Sequence, residues 1–136
     1  MYPPELVAPM KAELAGAGFR ELLTVEDVND ALDKPGTTLV AINSVCGCSA
    51  GSMRPAVIQS MDNEKVPDNI ATAFAGVDVD AVGHIRKFML PFPPSSPSIA
   101  LFKDGKLAMM VERHHIEGNT ADAIAAHLKL AFEEFC

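Results

Sequence analysis

Apolar residues recur every three or four positions along much of the chain, and proline and glycine punctuate the gaps between these stretches. Leu6, Met10 and Leu14 define one face of an N-terminal helix that Pro3 or Pro4 can begin and Gly16 and Gly18 end. Pro9 lies inside it and lacks a backbone donor, so the helix is expected to start there or to kink. A second short helix is predicted from Thr24, an N-cap with Asp27 three residues on, through Val28, Ala31 and Leu32 to the Lys34-Pro35-Gly36 break. At Thr38 to Asn43 the pattern changes: both faces are apolar, as expected of a central strand covered on either side.

Ala50, Met53, Val57 and Met61 then mark a helix that contains Pro55, and Pro67-Asp68-Asn69 precedes a second short strand from Ile70 to Ala75. Asp78 opens a further helix with Val82, Ile85 and Phe88 on one side. The run Pro91 to Pro97 is too rich in proline for regular structure. Beyond it, Ser98 to Phe102 and Lys106 to Val111 flank Asp104-Gly105, a short-loop hairpin signal. The last helix carries Ala121, Ile124, Ala125, Leu128, Ala131, Phe132 and Phe135 on one stripe, with Asn119 as the expected cap and Asp122 at the third position. This order contains a βαβ unit followed by a hairpin and a helix. It predicts an α/β fold of thioredoxin-like type, a four-stranded mixed sheet with helices on both faces.

With 136 residues, 49% of them hydrophobic, the chain suits one domain over 1–136 with a single well-filled core. A formal charge of -7 with scattered Lys and Arg leaves no basic stripe for nucleic acid. No apolar run approaches the ~18 residues of a membrane span, and Met1-Tyr2-Pro3-Pro4-Glu5 lacks the pattern of a secretory signal, so a cytoplasmic protein is expected. In that reducing compartment, three cysteines point to metal binding, catalysis or burial rather than a structural disulfide framework.

Cys46-Gly47-Cys48 falls where the central strand meets a helix. Unpaired N–H groups and the positive end of the helix dipole favour thiolate there. Cys46, nearer those groups and at the strand end, is the expected nucleophile, and Cys48 the thiol that resolves a mixed disulfide on it. Gly47 tolerates the backbone angles of a small Cys-x-Cys disulfide ring. Competing readings are a buried inert pair, or zinc held with Cys136 and His114 or His115, although one-residue spacing suits tetrahedral chelation poorly. Pro97, between a proline-rich loop and a strand, is a position for a cis peptide facing the cysteines, with backbone free to pair with an extended substrate; a rigid surface loop is the alternative. Arg113-His114-His115 can bind an anionic group or move a proton, or form a solvated turn. Arg54 either supports the Cys46 thiolate or is simply exposed. Cys136, beside Glu133 and Glu134, is expected to have a minor role.

Taken together, Val45-Cys46-Gly47-Cys48-Ser49-Ala50-Gly51, Pro94-Ser95-Ser96-Pro97-Ser98, Arg113-His114-x-Ile116-Glu117-Gly118, Leu14-Ala15-Gly16-Ala17-Gly18-Phe19 and Cys136 resemble the bacilliredoxin family. The resemblance implies a thioredoxin-like fold and removal of bacillithiol, a low-molecular-weight thiol, from mixed disulfides on oxidised proteins. Cys46 would accept the thiol and Cys48 resolve it. Gly47, Ser96, Pro97, Arg113 and His114 would contact substrate, and no metal or organic cofactor is implied. The implied partners are S-thiolated client proteins, bacillithiol or a similar thiol, and a disulfide reductase system. His115 stands where the family has an acidic residue and adds positive character beside His114. A weak disulfide isomerase, or a thioredoxin-like binding module whose cysteines hold zinc or nothing, are the alternatives.

Overall fold

The computed structural model describes residues 2–136. In order it contains α1 (Pro4–Ala15), β1 (Arg20–Glu21), α2 (Val25–Asp33), β2 (Thr37–Asn43), a π-helical turn (Ser49–Met53) running into α3 (Arg54–Ser60), β3 (Asn69–Phe74), α4 (Val79–Lys87), β4 (Ser98–Lys103), β5 (Lys106–Val111), α5 (Arg113–Ile116) and α6 (Ala121–Phe135). The strands form one sheet in the order β1-β3-β2-β4-β5. β1, β3 and β2 are mutually parallel, whereas β4 and β5 add antiparallel pairs beside β2. The sheet therefore has five strands rather than the expected four. The extra one, Arg20–Glu21 against Ala71 and Thr72, has too few residues to leave a periodic trace.

Every residue of β2 is buried, and alternation sends its side chains into two separate layers. Leu39 and Ala41, with Ile99 and Leu101 of β4, meet Met53, Val57, Ile124, Leu128 and Phe132 on one face. Val40 and Ile42, with Ala100 and Phe102, meet Val28, Leu32, Val82 and Ile85 of α2 and α4 on the other. Each fully buried Leu, Ile, Val or Phe contributes roughly 1.5–3 kcal/mol relative to exposure, so both helical layers are held by the strand pattern itself. The same burial fixes the register of β2, because a one-residue slip would exchange the two layers.

The end of the sheet away from the cysteines is tied by one aspartate. Asp68 Oδ2 accepts from the Thr37 N–H at 2.9 Å, while the Thr37 hydroxyl accepts from the Asp68 N–H at 3.1 Å. Gly36 beside them has φ +91°, a conformation that favours glycine, and a Cβ there would collide with the Asp68 carboxylate. The hairpin turn places Asp104 and Gly105 at φ 50° and 79°, as a two-residue primed turn requires.

Several local expectations change. α1 begins at Pro4 and runs through Pro9 as one helix. Thr24 and Asp27 form the full reciprocal capping box on α2. The cap of α6 is Thr120, whose hydroxyl accepts from the Ala123 N–H, rather than Asn119. Asn119 instead donates to the His115 carbonyl, and its own carbonyl accepts from Ser52 Oγ. Asp78 starts α4 without capping it, its carboxylate taking the Phe74 N–H and the Lys11 ammonium. Phe88 is exposed rather than part of the apolar side of that helix.

Candidate active site

β2 ends at Asn43, and the chain turns over three residues to Cys46 before the π-helical turn begins. The Cys46 carbonyl accepts from the Ser49 N–H at 2.9 Å and the Ala50 N–H at 3.4 Å, so helical bonding begins at this cysteine. Its own N–H donates to Ser44 Oγ at 3.2 Å. Both cysteines are partly exposed free thiols, with Cys46 Sγ 2.6 Å from Cys48 Sγ, beyond a covalent S–S bond of about 2.05 Å. Gly47 has open space where a side chain would stand, so the dithiol form itself does not demand glycine.

The two sulfurs are not equivalent. Cys46 is held below the ordinary thiol value, first by the hydrogen bond from the Cys48 thiol, then by the Cys48 N–H, and also by the Arg113 cation. Burial, together with the hydrogen bond and charge of Cys46, pushes Cys48 up. Arg113 Nη2 donates to Cys46 Sγ at 3.3 Å, and the guanidinium is itself held more firmly protonated by the two cysteines and Glu117. Arg113 opens the short helix α5, in which His114 and His115 stay exposed to solvent while Arg113 reaches the cysteines.

Arg113 also joins the cysteines to the proline loop. Its Nη1 donates to the Ser96 carbonyl at 3.2 Å and its backbone N–H to Ser95 Oγ at 3.4 Å. The Ser96–Pro97 peptide is cis, and Pro97 is buried at the start of β4. The loop is held from its other side by Arg86, whose Nη1 donates to the Ser95 carbonyl at 3.1 Å. Nothing in the sequence singles out Arg86, because that contact depends on how α4 crosses the sheet.

Four sequence expectations thus meet at one place: Cys46, Cys48, the Ser96–Pro97 peptide and Arg113. Three do not. His114 is mostly exposed, 3.9 Å from the Glu112 carboxylate, and lines a groove of about 620 Å³ with His115 and His127. Cys136 is exposed at the end of α6. Among the described residues, the one cluster of potential metal ligands is Glu112, His114 and His115, with no cysteine in it, so zinc shared by the cysteine pair has no support in the donor geometry. Arg54 is buried rather than exposed and touches Glu13, Asn43 and the Ser44 carbonyl, not the thiol.

The family described as "Disulphide isomerase" matches residues 2–136. A bacilliredoxin of Cytophaga hutchinsonii is 59% identical over 134 residues, 98% of this chain and 99% of that one. The chain belongs to the bacilliredoxin family. A second bacilliredoxin, from Geobacillus kaustophilus, is 48% identical over 97% of this chain and 91% of its own. Outside the bacilliredoxins, the fold is similar to that of mitochondrial thioredoxin 3 from Saccharomyces cerevisiae in its oxidised form, with TM-score 0.59 and 11% identity over 86% of this chain and 95% of that one. Fasciola hepatica thioredoxin gives TM-score 0.59 at 15% identity, covering 87% and 100%. The bacilliredoxin fold is thus thioredoxin-like, and family and fold together support a thiol–disulfide oxidoreductase.

Proposed function

We propose that the chain removes bacillithiol, or a similar low-molecular-weight thiol, from mixed disulfides on oxidised proteins, acting as a single domain over 1–136. The Cys46 thiolate attacks the small-thiol sulfur of the mixed disulfide. That S–S bond breaks, the client protein leaves as a thiolate, and the adduct forms on Cys46. Cys48 then loses its proton to solvent and attacks Cys46 Sγ. The small thiol departs as thiolate, and a Cys46–Cys48 disulfide remains, carrying the oxidation that the client lost. A disulfide reductase system or external thiol returns the pair to the dithiol with two electrons.

The observation that supports these roles most directly is the asymmetry of the pair: the Arg113 guanidinium donates to Cys46 Sγ at 3.3 Å, with Cys48 Sγ 2.6 Å from the same atom. The Ser96–Pro97 peptide, Gly47 and Arg113 offer the client backbone and the anionic thiol their contacts, with His114 at the margin. The expected compartment is the cytoplasm; among the described residues, no helix is long and apolar enough to cross a membrane. A disulfide isomerase is the second reading, favoured by the description of the matching family.

Intact mass of this protein mixed with a bacillithiolated client is the test. The adduct mass is expected to move to this chain, to stay on the client with Cys46→Ala, and to be trapped here with Cys48→Ala. Transfer that survives Cys46→Ala but not Cys48→Ala reverses the roles. Faster turnover of a scrambled disulfide protein than of the mixed disulfide favours isomerase.

A further inference from the structure

Arg54 is the buried charge that the proposed chemistry does not use. Its side chain is 4% exposed, yet it carries a full cation into the layer between β2 and the helix that follows the cysteines. Nε donates to Glu13 Oε2 of α1 at 2.7 Å. Nη1 is shared by the Asn43 side-chain oxygen at 2.9 Å and the Ser44 carbonyl at 3.1 Å. Burying such a group is costly unless each partner is well placed, so these three acceptors matter individually.

The two acceptors on the β2 side begin the turn that carries the cysteines. Asn43 is fixed twice more: its amide donates to the Met10 carbonyl at 3.1 Å, and its oxygen also takes the Ser44 N–H at 2.9 Å. Ser44 is consequently held at its N–H, its carbonyl and its hydroxyl. That hydroxyl accepts the Cys46 N–H at 3.2 Å and pairs with Ser49 Oγ at 2.8 Å, both serines being buried. A continuous path of hydrogen bonds runs from Glu13 through Arg54 and Ser44 to the Cys46 main chain.

We propose that Arg54 is a positioning residue for Cys46: by gripping Asn43 and the Ser44 carbonyl it sets the Ser44 turn, and so the register that brings Cys46 Sγ onto the Arg113 guanidinium. The inference rests on the reading of Cys46 as the attacking thiol. Arg54 acts through Ser44 and makes no contact with the sulfur. Lysine cannot replace it fully, because one ammonium on a flexible stem does not reproduce a planar fork that serves Glu13 and the turn together.

The experiment is alkylation of Cys46 across pH, resolved by peptide mass, for wild type, Arg54→Met, Arg54→Lys, Ser44→Ala and the Arg54→Met/Ser44→Ala double variant. Arg54→Met is expected to move the Cys46 midpoint upward and, at pH below both midpoints, slow alkylation about threefold, a tenfold loss of thiolate partly offset by the greater nucleophilicity of a more basic sulfur. Arg54→Lys should lie between Arg54→Met and wild type. Ser44→Ala should reproduce the shift, and the double variant should exceed the larger single effect by little, because both act on one path. A folded Arg54→Met or Arg54→Lys protein with the wild-type Cys46 profile overturns the proposal, as do additive shifts in the double variant. Should Arg54→Met fail to fold, Ser44→Ala and Arg54→Lys decide by the same readout. A wild-type protein whose Cys46 is no more acidic than Cys48 would defeat the functional reading itself, a result separate from any effect of Arg54.

Discussion

Replacing Arg113 with methionine isolates the cation that faces Cys46 while keeping an unbranched apolar stem. The guanidinium lies 3.3 Å from Cys46 Sγ, and its loss removes both a charge-assisted hydrogen bond and an attraction. The Glu117 carboxylate, 3.5 Å from Arg113 Nε, also loses its counter-charge, and Glu117 already opposes ionisation of Cys46. Both changes push the thiol upward. Because the Arg113 side chain is 43% exposed, solvent screens the effect, and the low end of the range for an adjacent opposite charge applies: roughly a tenfold loss of thiolate at any pH below both Cys46 midpoints. A more basic sulfur is intrinsically more nucleophilic, by roughly threefold for that change, so alkylation should slow about threefold net on the acid limb of the profile, below both midpoints. Iodoacetamide labelling resolved by peptide mass across pH measures this for each cysteine. The Cys46 profile should shift upward, and added salt should shift the wild-type profile the same way while moving the variant much less. A folded Arg113→Met protein with an unchanged Cys46 profile would refute the electrostatic argument.

Three further predictions concern the fold and its pH dependence. The depressed Cys46 thiol makes the folded, reduced protein bind fewer protons than the unfolded chain below the ordinary thiol value of about 8.5. Its stabilisation is complete above that value and lost as pH falls through the lower folded value. Urea unfolding under reductant should show stability rising with pH in that window, and Cys46→Ala should flatten the rise. Gly36→Ala, forced into φ +91° against the Asp68 carboxylate, should destabilise by about 1–3 kcal/mol in the same assay while leaving Cys46 alkylation unchanged. Thr120→Ala should cost about 1 kcal/mol through loss of the α6 cap; Asn119→Ala leaves the Ala123 N–H satisfied, and equal costs for the two would contradict the assigned cap.

The architecture was legible because its two strongest signals are local. Residues 38–43 are apolar on both faces, and the structure buries β2 between two helical layers. Asp104-Gly105 marked the hairpin, and Thr24 with Asp27 marked the start of α2, each through chemistry confined to a few neighbouring residues. What escaped was tertiary or very short. β1 has two residues, and its pairing is decided by β3. The Asn119 cap failed by one position because adjacent Thr120 is equally capable, and packing of Asn119 on His115 and Ser52 settles the choice. Arg54 was misplaced for the same reason: its neighbours in sequence do not reveal that Glu13 and Asn43, on two other elements, would line a polar slot for it.

At the cysteines, sequence identified the pair but supplied an incomplete cause for its asymmetry. Both sulfurs stand at one helix start, 2.6 Å apart, so a helix dipole alone stabilises a negative charge on either. The difference must come from what only one of them receives. The Cys48 thiol holds Cys46 down, and Cys46 alone takes the Arg113 hydrogen bond; the Cys48 N–H and the Arg113 charge favour ionisation of both sulfurs, and burial, which opposes both, is the first cause that raises Cys48. Once Cys46 ionises, its charge opposes a second ionisation beside it, so the pair shares one proton until Cys46 is consumed in a mixed disulfide. Formation of that mixed disulfide removes the charge that held the Cys48 proton. In the proposed reaction the resolving thiol is thereby freed at the stage where it is needed, with Arg113 left facing the sulfurs as the resident cation.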